Sequence, residues 1–278
     1  MKRYGIVIDV AKCNGCYACF LACKDENCGE EFPGYSAGQP MTGHRWIDLV
    51  EVERGTFPKV KLSHIPVTCA QCDNPACLKA GQNGAVYKRK DGIVMIDPDK
   101  AAGQKDIVNS CPYRVIFWNE AKNVAQKCDL CAHLLDNGYT RPRCVEMCPT
   151  GCITFGDLND PNSEVAKLVA SQQPHALHPE YELGDNVLYL NVPKKFVAGT
   201  LIFKETDQCA ANVSVTLKGD GANMSYVTDA FGDFWFEGLS SNASYTLEIA
   251  QKGYKKISLD VRTYSDINVE DLFLEKNA

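Results

Sequence analysis

The sequence predicts two domains, an α+β domain rich in cysteine followed by a small all-β domain. Three observations support this division. The chain has 278 residues, enough for two hydrophobic cores. Fourteen of its 15 cysteines lie between Cys13 and Cys152, so cysteine usage stops abruptly. After residue 195, short runs of alternating polar and apolar residues are separated by turn residues, as in antiparallel sheets.

Composition narrows the possible functions. The net charge is −6 and the basic residues are scattered, which is not the footprint of a nucleic-acid-binding protein. No apolar run approaches the roughly 18 residues of a membrane-spanning helix. The apolar run near the N-terminus is short and is interrupted by Asp9, unlike a signal peptide. We therefore expect no nucleic-acid partner, no membrane anchor in this chain and a cytoplasmic location.

The first cysteine group is the most specific motif. Residues 13–23 read CNGCYACFLAC, a CxxCxxCxxxC spacing. Disulfide frameworks are typical of short secreted chains, and structural zinc is usually held by two separated CxxC pairs. The observed spacing is that of bacterial ferredoxins, in which three cysteines bind one 4Fe-4S cubane and the fourth ligates a second cluster. The first domain is therefore predicted to be a tandem ferredoxin-like domain.

Three further cysteine groups follow. Residues 69–77 read CAQCDNPAC, Cys111 stands alone, and residues 128–148 contain CDLC and two later cysteines. An internal repeat relates residues 8–23 to residues 96–111 and places the last cysteine of the first group on Cys111. In this register the other three ligand positions of the second copy hold Ala101, Gln104 and Ile107. None of these side chains can replace a thiolate.

The strands that follow each group locate one more missing ligand. Strand-like runs begin four residues after Cys111 and four residues after Cys148, and the matching run begins at Ala85. The equivalent ligand position for CAQCDNPAC is therefore Gly81. One site, which we call the lost site, has thus lost all four ligands, whereas its neighbour keeps a complete set.

Crossed ligation between loops then predicts three 4Fe-4S clusters on twelve cysteines. Site 1 takes Cys13, Cys16, Cys19 and Cys148. Site 2 takes Cys23, Cys128, Cys131 and Cys144. Site 3 takes Cys69, Cys72, Cys77 and Cys111. Of the other cysteines, Cys152 is expected to be a buried packing residue, Cys209 has no expected role, and Cys28 has at most a role beside a cluster.

We assign no catalytic residue to this chain. The sequence contains no nucleophile elbow, P-loop or dinucleotide-binding motif. The five histidines are scattered singly, and each is expected to be a surface or satisfied core residue. A cubane bound wholly by cysteine has no open iron for a substrate. Several such cubanes in one domain therefore indicate electron transfer between redox partners.

Six motifs, taken as a set, resemble the iron-sulfur subunits of the dimethyl sulfoxide reductase family of molybdopterin enzymes. Within about residues 1–160 they are CNGCYACFLAC, CAQCDNPAC, DGIVMIDPDK, CPYRVIFWNE, KCDLCAHLLDNGYTRPRCVEMCPTG and FGDL. The resemblance implies a large catalytic partner that alone carries molybdenum and molybdopterin guanine dinucleotide. In the family the lost site would face a membrane subunit, so its loss suggests that no membrane subunit is served.

The second domain has a β texture. Residues 1–160 would form the double-ferredoxin domain, and residues 161–195 a connecting segment with a helix near 162–171. Residues 196–278 contain seven short alternating runs, which predict a small seven-stranded antiparallel sandwich. The runs TDAFGDFWFEGL and YTLEIAQKGY resemble Cna B-type and carboxypeptidase regulatory-like sandwiches, which are usually stability or interaction modules. The aromatic run DFWFE is expected to supply core side chains rather than a binding patch.

Three clusters, no membrane segment and a C-terminal sandwich together resemble the small subunits of molybdenum transhydroxylases. The resemblance implies a heterodimer whose large subunit moves a hydroxyl group between pyrogallol and tetrahydroxybenzene to give phloroglucinol. Two alternatives stay open. One is the electron-transfer subunit of another soluble molybdopterin oxidoreductase, acting on sulfur, arsenic or selenium compounds. The other is a free polyferredoxin or a structural cluster scaffold.

Overall fold

The fold is described from a computed structural model that covers residues 1–277. The chain forms two compact units. The first contains Met1–Glu51 and Ser63–Val192, and the second contains Val52–Leu62 and the residues from Pro193 onward. Each unit has its own hydrophobic core. Most of the segment 161–195, expected to be a connection, therefore belongs to the first unit.

The first unit mixes short strands and short helices. Its strands are β1 (Tyr4–Asp9), β4 (Val86–Lys88), β5 (Val94–Ile96), β6 (Phe117–Asn119), β7 (Val124–Gln126), β8 (Ile153–Asp157) and β9 (Val187–Leu190), with a hairpin of β2 (Ile47–Thr56) and β3 (Lys59–Thr68) that starts and ends there. Its helices are α1 (Ala18–Asn27), α2 (Ala76–Ala80), α3 (Asp106–Asn109), α4 (Ala132–Asp136), α5 (Arg143–Glu146) and α6 (Glu164–Gln172). Within residues 1–277, no helix combines the length and apolar character needed to cross a membrane.

A three-stranded sheet organises the first unit. Strand β1 lies in the middle, antiparallel to β8 and parallel to β9. On one face of this sheet, Val7 of β1 shares a buried cluster with Val165 of α6. Helix α6 begins after Ser163, whose hydroxyl accepts a hydrogen bond from the amide of Ala166. The segment expected to link two domains thus adds strand β9 to the first sheet and packs helix α6 against one face of it.

The internal repeat is visible in the backbone. Gly15 and Gly103 occupy the same repeat position, and both have a positive φ, +71° and +75°. Helices α1 and α3 begin at equivalent positions, but α1 has 10 residues and α3 only 4. The two loops therefore share a backbone path, although one carries four cysteines and the other only the last.

The second unit is built from two four-stranded sheets. Its strands are β10 (Lys195–Phe203), β11 (Gln208–Cys209), β12 (Ser214–Gly219), β13 (Ala222–Val227), β14 (Asp233–Leu239), β15 (Ser244–Ile249), β16 (Ile257–Arg262) and β17 (Ile267–Leu274). One sheet has the order β13-β12-β15-β16, and the other joins β10, β11, β14 and β17. Phe234 and Phe236 of one sheet share a core with Val215 and Leu247 of the other. The prediction that the DFWFE run supplies core side chains is confirmed for these two phenylalanines.

Two details of the second unit differ from the prediction. Strand β11 is an additional strand of two residues, too short to show a periodic pattern. Strand β17 runs parallel to β10, so the prediction of a wholly antiparallel arrangement was wrong for this pair. Strand β17 follows β16 of the other sheet, and a strand that returns by such a crossover can lie parallel, whereas a hairpin cannot.

We predict that Phe234→Ala destabilises the chain by about 3–5 kcal/mol, the usual cost of deleting a buried aromatic side chain. Phe234 is fully buried, and its ring centroid lies 6.0 Å from that of Phe236. Phe231→Ala is the matched control, because the same change is made where the side chain is 71% exposed. For the control we expect at most about 0.5 kcal/mol. Chemical denaturation followed by circular dichroism measures both variants, and equal losses would contradict the core position of Phe234.

Candidate metal centres

The thiols of site 1 meet beyond one edge of the central sheet, where β1 ends beside the beginning of β8. They line one cavity, formed in part by Cys13, Cys16, Cys19 and Cys148. The pairing of β1 with β8 sets this meeting, because the amide of Asp9 donates to the carbonyl of Cys152 at 2.8 Å. Burial raises the pKa of the Cys19 thiol to about 12. The structure therefore brings together the four cysteines that crossed ligation assigned to site 1.

Glycine is required in the loop of site 1 for two reasons. Gly15 has a φ of +71°, a conformation that disfavours other residues. A Cβ at this position would also lie 2.5 Å from the ring of His64. His64 thus closes one side of the loop by packing directly on the Gly15 backbone.

The thiols of site 3 line a second cavity and are those of Cys69, Cys72, Cys77 and Cys111. Helix α2 begins after Pro75 and carries Cys77, while Cys111 follows the end of α3. Burial raises the pKa of the Cys77 thiol to about 11, and it also raises that of Cys111. The isolated Cys111 therefore lies with the CAQCDNPAC group.

The thiols of site 2 are the most deeply buried. Helix α1 carries Cys23 and packs against α5, which carries Cys144. Burial raises the pKa of Cys144, and the nearby thiols of Cys128 and Cys23 raise it further. Burial likewise raises the pKa of Cys131, with Asp129 and Cys144 adding to the effect. Cys23 and Cys144 are buried in the same core cluster, and Cys128 packs against it.

Hydrogen-bond donors already face the sulfur atoms of site 2. The amide of Leu130 lies 3.4 Å from Sγ of Cys128, and the side-chain amide of Asn27 lies 3.8 Å from Sγ of Cys23. Gln39 is buried against Cys23, and its amide has no other hydrogen-bond partner among residues 1–277. Hydrogen bonds to sulfur are one of the factors that set cluster potentials. Three buried thiols and the half-buried Cys128, with amide donors near their sulfur atoms, therefore fit a 4Fe-4S cluster.

The side chains are not arranged around a single ion. In the part of the chain that the structure describes, no three His, Cys, Asp or Glu side chains form a group that could hold one metal ion. The ligands of a cubane need not converge in this way, because each cysteine binds a different iron.

Lys127 lies beside the thiols of two sites. It is buried, lines the cavity of site 3, and donates through Nζ to the carbonyls of Val94 and Cys128, the latter at 3.0 Å. Burial lowers the pKa of Lys127, but the thiols of Cys69, Cys77 and Cys128 raise it more, so the net shift is upward. A buried positive charge therefore adjoins sites 2 and 3.

Sequence reasoning missed three side chains beside the thiols, namely Gln39, Asn27 and Lys127. Of these, only Lys127 has a sequence feature that could have pointed to it, because it directly precedes a cysteine of the CDLC motif. Lys12 precedes Cys13 in the same way, yet its side chain is 55% exposed. The Lys-Cys pair alone therefore does not distinguish a buried cation from a surface one.

The lost site is filled by protein. Ala101 and Ile107 are fully buried in one apolar cluster. Gln104 replaces the middle ligand, and its Oε1 accepts from the amide of Gln82 at 2.8 Å. Its Nε2 donates to the carbonyl of Lys100 at 2.7 Å. A side-chain amide and apolar packing thus connect the two loops at this position.

Gly81 bounds the lost site from the opposite loop. Its φ of −74° is ordinary, so the backbone conformation does not require glycine. A Cβ at this position would, however, lie 2.7 Å from Cγ2 of Val86, a buried residue of the same apolar cluster. A cysteine side chain at position 81 would fit only if Val86 moved.

The remaining cysteines have separate surroundings. Cys152 is buried in the main core beside site 1, which confirms the packing role expected of it. Cys28 is half-buried, with its Sγ 3.9 Å from Sδ of Met41. Cys209 is exposed on β11.

Comparison with known proteins decides the family. A model described as a 4Fe-4S dicluster domain matches residues 60–158, and one described as a carboxypeptidase regulatory-like domain matches residues 197–271. The pyrogallol hydroxytransferase small subunit of Pelobacter acidigallici is 40% identical over 278 residues, covering 98% of this chain and 96% of that protein. The chain belongs to the iron-sulfur subunits of the molybdopterin oxidoreductases. It is thus an electron-transfer subunit with a 4Fe-4S ferredoxin-like domain, and its relatives work with a catalytic partner.

Other iron-sulfur subunits match about two thirds of the chain. The arsenate respiratory reductase iron-sulfur subunit of Shewanella sp. strain ANA-3 is 32% identical and covers 68% of this chain and 96% of that protein. A putative dimethyl sulfoxide reductase iron-sulfur subunit of Halobacterium salinarum is 33% identical and covers 69% of this chain and 80% of that protein. The resemblance inferred from the six motifs is confirmed.

We predict that Gly81→Ala destabilises the chain by about 1–3 kcal/mol, because the new methyl group overpacks the core at Val86. The same substitution in a Val86→Ala background should cost less, since Cγ2, the atom nearest to the new Cβ at 2.7 Å, is then absent, while the backbone nitrogen of residue 86 stays at 3.0 Å. Chemical denaturation of the two single variants and the double variant gives the coupling energy directly. Strictly additive losses would show that Val86 does not fill the lost site.

Proposed function

We propose that sites 1, 2 and 3 each hold one 4Fe-4S cluster and that the lost site holds none. The support is the meeting of four thiols from two loops at sites 1 and 3, the packing of α1 against α5 at site 2, and the amide donors beside Cys23 and Cys128. Such clusters supply single-electron storage and transfer. The chain's own residues hold them, exclude water from them and set their electrostatic surroundings. No catalytic residue is assigned to this chain.

We further propose that the partner is a molybdopterin catalytic subunit that transfers a hydroxyl group between pyrogallol and tetrahydroxybenzene to give phloroglucinol. The observation that carries this proposal is the extent of the similarity. The pyrogallol hydroxytransferase small subunit aligns with 98% of the chain, through both units, at 40% identity. The arsenate relative is itself covered to 96% yet reaches only 68% of this chain. The second unit is therefore shared with the first relative.

A second candidate is the electron-transfer subunit of a soluble molybdopterin enzyme that reduces arsenic, sulfur or selenium compounds. The arsenate relative, at 32% identity, favours it. This candidate gives no account of the second unit, so we rank it below hydroxyl transfer. For either candidate we propose a cytoplasmic complex without a membrane subunit, because free thiols and cubanes suit a reducing compartment.

We predict that Cys111→Ala removes the cluster of site 3 and leaves the other two. The iron content should fall from about twelve to about eight atoms per chain, since a 4Fe-4S cluster is held by four cysteines. Iron and sulfide analysis with electron paramagnetic resonance (EPR) measures the loss. Cys209→Ala and Cys28→Ala are matched controls with unchanged iron. About sixteen irons in the unaltered chain, or loss of a cluster in the Cys28 variant, would contradict the ligand assignment.

We predict that the chain, purified from cells that produce it, brings with it a larger molybdenum-containing chain. Incubated with pyrogallol and catalytic tetrahydroxybenzene, the complex should form phloroglucinol, measured by chromatography. Arsenate, tetrathionate and dimethyl sulfoxide, offered with a reduced dye, serve as the comparison substrates. Dye oxidation with any of these and no phloroglucinol would favour the second candidate, and a chain that purifies alone would favour a free polyferredoxin.

A further inference from the structure

The surroundings of Lys127 are unusual for a lysine. Its ammonium group is buried, and both of its hydrogen bonds go to backbone carbonyls, those of Val94 and Cys128. A buried charge is costly unless opposite charge lies nearby. Lys127 lines the site 3 cavity together with Cys69 and Cys77, and the carbonyl of Cys128 that it contacts belongs to a site 2 ligand. Cysteines of two different sites therefore lie beside this ammonium group.

We propose that Lys127 raises the reduction potentials of the clusters at both site 2 and site 3. This inference rests on the cluster assignment proposed above. Each cluster gains one electron on reduction and becomes more negative, while no bond changes and no proton moves. A fixed positive charge nearby stabilises the reduced state more than the oxidised state. Because Lys127 is buried, water and salt screen this interaction little.

Site 1 provides a reference inside the same molecule. Lys127 is not among the residues that line the site 1 cavity. The lysine that precedes a site 1 ligand is Lys12, whose side chain is 55% exposed and whose Nζ lies 3.4 Å from the carboxylate of Asp9. An exposed, paired charge of this kind has little effect through water. The two Lys-Cys pairs therefore make a matched comparison between a buried and an exposed cation.

Lys127→Gln is the decisive variant, because glutamine keeps a hydrogen-bond donor but removes the charge. We expect the midpoint potentials of sites 2 and 3 to fall, each by at least a tenfold change in the reduction equilibrium, which is 59 mV for one electron. The site 1 midpoint should not move. Lys127→Arg should restore the two potentials, and Lys12→Gln should shift none. Redox titration of the loaded chain or complex, followed by EPR, measures all three clusters.

Iron and sulfide analysis comes first and separates two kinds of failure. If the unaltered chain lacks three clusters, the proposed function fails, and this inference with it. If Lys127→Gln holds all three clusters at unchanged potentials, the role of Lys127 is refuted while the cluster assignment stands. If Lys127→Gln loses clusters, Lys127→Met, which keeps the length of the side chain and removes the charge, is titrated in its place. Unchanged potentials at sites 2 and 3 in that variant overturn the proposal.

Discussion

Each predicted cluster site in the first unit draws cysteines from two segments distant in sequence, so every site depends on the strand pairing and core packing that bring the two segments together. At site 1 the β1–β8 pair aligns Ile8 with Ile153, which places the loop after β1 beside the segment before β8. At site 2 the meeting is between α1 and α5. Helices α2, α3 and α5 have only 4 or 5 residues, too short to be stable by themselves. Their positions therefore come from strand pairing and core packing, and the thiols follow from those positions.

The parts predictable from sequence are those with a local pattern. Cysteine spacing, the internal repeat and alternating strands can each be read from short stretches of sequence. The structure lines one cavity with the thiols assigned to site 1 and another with those assigned to site 3. The parallel pairing of β17 with β10 was not predictable, because it depends on a crossover between sheets rather than on either strand. Lys127 was missed for a similar reason: Lys12 has the same local context, and only tertiary packing makes one buried and the other exposed.

The packing of the lost site accounts for the absence of cysteine at all four of its ligand positions. Removing one ligand from a cubane site would leave a gap lined by the other thiols, and an unfilled cavity costs stability in proportion to its volume. Here Ile107 and Val86 contribute buried side chains, and Gln104 bonds to the opposite loop. The same loop pair is thus held together by apolar packing and one amide instead of by iron. This arrangement leaves no space at Gly81 for a ligand side chain.

The three sites differ in how their negative charge is compensated. Site 1 includes Cys16, which is exposed, so water contributes there. At site 2 the sulfurs face the amides of Leu130, Asn27 and Gln39, and site 3 shares the Lys127 ammonium with it. Graded potentials follow from such differences. Pyrogallol and phloroglucinol are isomers, so a partner that interconverts them has no net electrons to deliver. If the partner catalyses the proposed hydroxyl transfer, the clusters carry no net flow of electrons, and the buried donors and the buried cation then serve to set the cluster potentials.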